Sequence, residues 1–379
     1  MNKSVFKLTI TLVFMISLLL GCSNVNENSD VNNDENNEPI VEEPKEKRMS
    51  LVAVGDVLIH GALYYEADKM NGVLNDNLYD FNYMFTEVKP FLENYDLKYC
   101  NQETIIGGKN LGVSHYPRFN SPDEIGDALM NLGFNVVSLA NNHTLDKGEE
   151  GILYSVDYWK NKNVVFSGQS SSHEERNNIK VYEQNGIKYA FLAYTDMTNG
   201  LAIPEGKDYL VHVYSDEKAK SDIESIKDKV DVIIVSMHWG EEYTHTPTYV
   251  QKKEAQYLSS LGVDLIIGSH PHVIMPVDYI GDTLVIYSLG NFVSGQAPLG
   301  LAKTIGLMVG MDIVVKEEKV TFENLDYKLL YTYSTSYNTN YKVYPFDNLT
   351  DDILYNHESI ETEYMNIVTS EVIYDWNKK

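Results

Sequence analysis

Five short polar clusters interrupt an otherwise apolar sequence. They are Gly55-Asp56 with His60; Asn101-Gln102-Glu103-Thr104; Ala140-Asn141-Asn142-His143 with Asp146 and Gly148; Met237-His238-Trp239-Gly240-Glu241; and Gly268-Ser269-His270-Pro271-His272. Asp56, His60, Glu103, Asn142, His238, His270 and His272 are of the types that bind hard or borderline divalent metals through oxygen or imidazole nitrogen. A single histidine after a strand is ordinarily a hydrogen-bonded structural residue. Conjunction changes that reading, because five of the ten histidines fall in these clusters. One carboxylate, Glu103, is suited to bridge two ions about 3.5 to 4 Å apart while imidazoles and Asn142 complete the shells. The expected cofactors are therefore two divalent ions, manganese, zinc or iron.

Each cluster must be held by an element, and each follows an apolar, β-branched run. The spacing predicts strands at 50–54, 97–100, 136–139, 189–193, 232–236 and 265–267. Helical spacing occupies 81–94, 121–132, 149–161, 216–229 and 248–261. Strand and helix in alternation imply an α/β sheet with helices packed outside, and open α/β sheets place ligands beyond the C-terminal ends of their strands. After Val273 the pattern changes to close-set strands, 277–280 and 284–288 reading as a hairpin around Gly281-Asp282. Two sheets facing each other between helix layers would satisfy both patterns. Residues 49–316 are the expected main domain, and 317–379, rich in Tyr and Asn and without histidine clusters, a C-terminal accessory segment.

The first residues read differently. Lys3 and Lys7 precede an apolar run from Leu8 to Leu20 that ends Leu19-Leu20-Gly21-Cys22, the layout of a secretory signal. The run is shorter than the ~20 residues a spanning helix needs. Leu-x-Gly-Cys resembles a bacterial lipobox, so residues 1–22 are expected to be a lipoprotein signal, Cys22 the lipidation site, and the cell membrane's extracytoplasmic face the location. Residues 23–48, dominated by Asn, Asp and Glu, form an expected disordered acidic tether. The formal charge of −25 repels nucleic acid, which is excluded as a partner. Cys100 is expected to be a buried, unpaired thiol.

The motifs together carry a resemblance. Gly-Asp-x-x-x-His at 55–60, Asn-Gln-Glu-Thr at 101–104, Ala-Asn-Asn-His-x-x-Asp-x-Gly at 140–148, His-Trp-Gly-x-Glu at 238–242, His-Pro-His at 270–272 and Tyr-Ser-Leu-Gly-Asn-Phe at 287–292 resemble, in order, the motif set of the CapA family of poly-γ-glutamate capsule synthesis proteins. The resemblance covers roughly residues 49–295 and implies a fold similar to calcineurin-like metallophosphoesterases: a four-layer α-β-β-α sandwich with two sheets inside. It implies that Asp56 and His272, with His60, hold one metal, that Glu103 bridges, and that Asn142, His238 and His270 hold the other. His143 is similar in place to the metallophosphoesterase histidine that stabilises or protonates the leaving oxygen; the plainer alternative is a supporting hydrogen bond to Asp146. Glu241 and Glu242 are expected outer partners of a ligating histidine or simply solvated, and Asn291 is expected to shape the turn beneath the site. The chain departs from the pattern at His60, three residues beyond Asp56 where phosphoesterases leave one, and at Glu103, where they use Asp.

Two functions follow. One is a metal-dependent hydrolase acting on a phosphoester or on the γ-glutamyl amides of an anionic polymer. The other is an accessory factor that holds or guides the polymer beside membrane-embedded capsule synthase subunits without cleaving it. A binding module has little use for His143, which favours chemistry; the chain also shows no obvious basic groove for a long polyanion.

Overall fold

Strand β1 (Lys47–Leu58) shows how the chain distributes its apolar residues. Successive side chains of a strand point to opposite faces. Met49, Leu51 and Ala53 enter one apolar cluster, while Val52, Val54 and Val57 enter another. All of them are fully buried, so the strand reads as a continuous hydrophobic run, as strands covered on both faces do.

The computed structural model describes residues 46–70, 73–74, 76, 78–296, 300–336 and 338–374. The expected signal segment, Cys22 and nearly all of the tether lie outside these residues. Lys47 and Arg48, assigned to the tether from sequence, instead open β1 and pair with Val315 and Val314. Among the described residues no helix is long and apolar enough to cross a membrane.

Two sheets are built. The first contains β1, β2 (Leu97–Gln102), β3 (Val136–Ser138) and β4 (Val165–Ser167) in parallel. The second is led by β5 (Tyr182–Gln184), β6 (Ile187–Thr195), β7 (Val232–His238) and β8 (Leu265–Ser269), and is completed by β9 (Val277–Ile280) and β10 (Thr283–Ile286), in the order β5-β6-β7-β8-β10-β9. The chain then returns to the first sheet. There β11 (Asn291–Ser294) runs parallel to the end of β1, and β12 (Ile305–Lys316), β13 (Lys319–Tyr333) and β14 (Lys342–Pro345) extend it in the order β14-β13-β12-β1-β2-β3-β4.

Between the sheets lies a shared apolar layer that includes Leu51, Tyr99, Phe191, Ile234, Ile267, Ile286 and Val309. Its deeper end is polar and paired: Tyr99 Oη lies 2.7 Å from Ser236 Oγ, which donates to Ser138 Oγ at 3.0 Å. The outer face of the first sheet is covered by helices Gly61–Met70, Asp123–Asn131 and Gly148–Asn161, and that of the second by Asp216–Ile226 and Tyr249–Ser260. This is the expected α-β-β-α sandwich. The last of these helices is fixed by a reciprocal cap, in which Thr248 Oγ1 accepts from Gln251 N while the Gln251 side chain accepts from Thr248 N.

Two expectations are corrected. The helical pattern at 81–94 breaks into a short 3-10 turn, Asn82–Phe85, and one helical turn, Lys89–Leu92, because Pro90 starts a helix readily but cannot donate within one. The boundary at 316 falls in the β12–β13 hairpin, so 319–345 complete the first sheet instead of forming an appendage, and helix His357–Val368 packs on the inter-sheet cluster. The hairpin turn places Glu317 and Glu318 at φ +52° and +64°. That conformation usually announces itself by Asn-Gly, so its sequence signal was absent. Cys100 is a free, buried thiol whose pKa is raised by burial.

Candidate metal centre

The five polar clusters meet at the C-terminal ends of β1, β2, β3, β7 and β8. Backbone approach makes the first possible. A Cβ on Gly55 would stand 1.8 Å from the Gly290 carbonyl oxygen, so only glycine lets the chains pass, and the next N–H, of Asp56, donates to that oxygen at 2.9 Å. The Gly290-Asn291 turn is thereby fastened beneath Asp56.

Six of the seven predicted ligands form one connected group. Asp56 Oδ1 accepts from Asn101 Nδ2 at 2.8 Å; its Oδ2 accepts the His270 backbone N–H at 3.3 Å and lies 3.4 Å from His272 Nδ1. Glu103 Oε1 is 3.6 Å from His272 Nε2 and 4.0 Å from His238 Nε2. His238 Nε2 also lies 3.1 Å from Asn142 Oδ1 and 3.2 Å from His270 Nδ1. The seventh, His60, stands apart: its Nδ1 meets its neighbour Leu58's carbonyl at 3.2 Å and its ring packs edge-on against Phe119, 5.2 Å between centroids.

Glu103 tests whether the group fits a cation. The residue is fully buried, and neither carboxylate oxygen has a hydrogen-bond partner. Burial, with Asp56 nearby, pushes its pKa well above the usual carboxylate range. An unpaired buried carboxyl is costly and ordinarily absent from folded proteins, so two orphaned acceptors facing imidazoles describe a place for positive charge. Asp56, Glu103 and His272 bring one donor atom each within 4.8 Å of one another, and so do Glu242, His270 and His272. The donor set suits divalent metal binding.

The histidines are tuned in opposite senses. Burial holds His238 well below the usual range and, with His272 beside it, His270 down to about 4; burial also brings His60 to about 4. Neutral imidazole is the ligating form. Burial would depress His272 as well, but Glu103 and Asp56 override it and raise its pKa to about 9. The loop carrying these residues departs from ordinary backbone: His270 has φ +95° and His272 φ +58°. Non-glycine residues in this region are uncommon and persist where their surroundings hold them.

Around this group, His143 Nδ1 lies 2.7 Å from Asp146 Oδ2, an oxygen that also accepts the Phe119 backbone N–H at 2.7 Å. Asn291 Oδ1 lies 3.1 Å from His272 Nδ1, and Asn291 Nδ2 donates to the Lys303 carbonyl at 2.9 Å, so Asn291 is in contact with the group as well as with the turn. Of the two expected outer carboxylates, both exposed, it is Glu242 that reaches His270 and His272. Trp239 is fully buried and donates to the Tyr287 carbonyl at 3.0 Å, a packing role.

Three contributors escaped the sequence reading. Asn101 holds Asp56 and has its own Oδ1 unpartnered, Ser269 Oγ lies 2.9 Å from His238 Nδ1, and Tyr243 N donates to the Pro271 carbonyl at 2.8 Å. Asn101 and Ser269 sit within the motifs but act through neighbouring ligands, which spacing does not reveal; Tyr243 carries no signal beyond its place after Glu242. The group opens into a cleft of about 640 Å³ lined by His60, Tyr65, Tyr116, His143, Glu242, His272 and Lys303, adjoined by one of about 410 Å³ lined by Tyr116, Arg118, Asn142, His143, Asn199 and Glu242.

The capsule biosynthesis protein CapA of Bacillus anthracis is 31% identical over 239 residues, covering 58% of this chain and 56% of that protein. The PGA biosynthesis protein CapA of Bacillus subtilis strain 168 is 32% identical over 179 residues, covering 44% of each. The matched stretches thus span about half the length of these relatives. Among solved structures, the chain is similar to a calcineurin-like phosphoesterase of Bacillus subtilis with 15% identity, 85% of this chain and 100% of that one covered and a TM-score of 0.44. A model of the bacterial capsule synthesis protein family PGA_cap matches residues 50–296, a span that includes every residue of the metal-capable group, and the chain belongs to that family.

Proposed function

We propose that this chain is a surface-tethered, metal-dependent protein of capsule or envelope polymer metabolism with hydrolase chemistry. The observation that carries the chemistry is the His143–Asp146 pair. Asp146 Oδ2 accepts from Phe119 and lies 2.7 Å from His143 Nδ1, so the proton of the imidazole belongs on Nδ1 and Nε2 is left to serve the cleft. His143 lines both halves of that cleft, directly beside Asn142. A ring so fixed can deliver or take a proton at a leaving oxygen or nitrogen, the role of a general acid. A module that only holds a polymer needs Asn142 but not this pair.

In this reading Asp56, Glu103 and His272 hold one divalent ion, and Asn142, His238 and His270, with Glu103 shared and Glu242 adjacent, hold a second, manganese, zinc or iron. Divalent ions bound there supply Lewis acidity and offset the carboxylate charge. His60, outside the group, serves as cleft wall. The substrate is a phosphoester or a γ-glutamyl amide of an anionic polymer; the relatives' names support the polymer. Lipidation at Cys22 would anchor the chain on the extracytoplasmic face, tethered through 23–46 beside membrane-embedded synthase subunits, a placement supported by the signal-like run before Cys22. A second reading, an accessory factor that guides the polymer without cleaving it, is favoured by one fact: the curated relatives are named for biosynthesis, not hydrolysis.

The test is metal content by mass spectrometry on the full-length chain and on Glu103→Ala, His270→Ala and His143→Ala, with assays on a generic phosphodiester and on poly-γ-glutamate. The hydrolase reading expects about two ions per chain, lost in the first two variants and kept in the third, with turnover lost in all. Metal uptake without cleavage of either substrate would favour the accessory role; no uptake by the wild type would sink the metal reading.

A further inference from the structure

In a chain of net charge −25, most cations near carboxylates are paired, as Arg176 is with Asp222 at 2.7 Å and Lys207 with Glu149 at 2.6 Å. Two cations of the cleft differ. Lys303 lines the half that contains His272 and Arg118 the half that contains Asn142, and among the described residues neither has an ion-pair partner. The two halves share Tyr116, His143 and Glu242, so they form one elongated cleft with the proposed acid at its waist.

Each cation adjoins the centre. The Lys303 carbonyl accepts from Asn291, which contacts His272, and its ammonium lies 4.9 Å from the Tyr243 ring centroid; Tyr243 in turn is tied by its N–H to Pro271. Arg118 immediately precedes Phe119, whose N–H donates to Asp146 and whose ring packs edge-on against His143 at 4.7 Å. The Lys303 ammonium is thus held against Tyr243 and the Arg118 backbone is anchored next to His143, and among the described residues neither charge is neutralised by an ion pair.

We propose that Arg118 and Lys303 are subsites for acidic groups on either side of His143, and that the cleft therefore takes the interior of an extended polyanion. This rests on the proposed function for the role of the centre, though the two cations are separately testable.

Binding of fluorescently labelled γ-glutamate decamer and dimer to the full-length, manganese-loaded chain would be followed by anisotropy across a salt series. The decamer is expected to bind at least tenfold more tightly than the dimer. Arg118→Gln and Lys303→Gln should each weaken decamer binding about tenfold and flatten its salt dependence, with Arg118→Lys recovering part of the loss. Metal content and Tm equal to the wild type would show that neither substitution acts through folding. Decamer binding unchanged in both Gln variants, or dimer and decamer bound alike, would overturn the proposal. A chain that takes up no metal yet binds the decamer through both cations would sink the hydrolase reading and leave this one standing.

Discussion

Replacing Glu103 by Gln should change the sign of its effect on stability according to whether metal is present. Without metal, the wild type buries a carboxyl whose two oxygens have no hydrogen-bond partner. Such a group costs about 1–3 kcal/mol, and a neutral amide of the same shape removes the ionisable part of that cost. The metal-free variant should be as stable as the wild type or about 1 kcal/mol more so. With metal at a thousand times its Kd, binding stabilises the folded chain by about 4 kcal/mol. At roughly 2.1 cal/mol/K per residue, the folded unit 44–379 has an unfolding entropy near 0.7 kcal/mol/K, so the wild type should gain about 6 °C in Tm. Loss of the bridging carboxylate, weakening the site on the order of a hundredfold, leaves about 1.4 kcal/mol, or roughly 2 °C. Calorimetric scans of both proteins with chelator and with manganese would measure the four values. Equal destabilisation with and without metal would make Glu103 a structural residue; equal metal response in both would remove it from the ligand set.

His143→Ala is expected to lower turnover by about 10²- to 10⁴-fold with metal content unchanged, and Asp146→Asn to lower it less, which steady-state kinetics and mass spectrometry would check. Gly55→Ala forces a methyl against the Gly290 carbonyl, 1.8 Å from where the Cβ must stand, and should cost about 3 kcal/mol and abolish metal uptake, measured by chemical denaturation and metal analysis. Glu254, whose pKa is raised to about 8 by burial and by Asp196 and Asp216, provides a pH test away from the centre. Its folded pKa lies above the unfolded value near 4.3, so its contribution is fully present below about 4.3 and is lost as pH rises through 8. Glu254→Gln should therefore match the wild type near pH 4 and exceed it by about 2 kcal/mol, allowing for partial exposure, near pH 8.5; identical denaturation midpoints at both values would refute this.

The parallel strands were legible because both their faces are covered: Val232–Val235 and Leu265–Ile267 are apolar at every position. Antiparallel β13 was not. Its burial alternates along Lys319–Leu329, and residues such as Glu323, Asp326 and Lys328 on its open face dilute the signal that an apolar run would carry. The ligand types were legible one by one, since Asp, Glu and His after strands are few. Their supports were harder to see. Asn101 matters through its contacts with Asp56 and His238, and Ser269 through its contact with His238, roles that a short polar residue can fill and that no spacing encodes. Glu242 and Glu241 are adjacent and chemically identical; only the turn after Gly240, with φ +88°, decides which carboxylate reaches the histidines.

Several departures from local rules gather at the centre, and together they are informative about what the fold is stabilising there. His270 and His272 both take positive φ, Glu103 and Asn101 leave buried oxygens unpaired, and Gly55 is required by a backbone crossing. Each positive-φ residue or unpaired oxygen costs on the order of 1–3 kcal/mol and would ordinarily be removed by a single substitution. None is relieved by its neighbours: the hydrogen bond from Asn101 satisfies Asp56 and leaves Asn101's own oxygen bare, and His272 serves two carboxylates at 3.4 and 3.6 Å without closing on either. A fold held by two fully covered sheets can sustain such a deficit at the strand ends. The deficit has a single chemical character, excess acceptors gathered around imidazoles, and a divalent cation is the species that would remove it at a stroke. Structural histidines would have been expected to satisfy their surroundings; these leave them in need of positive charge.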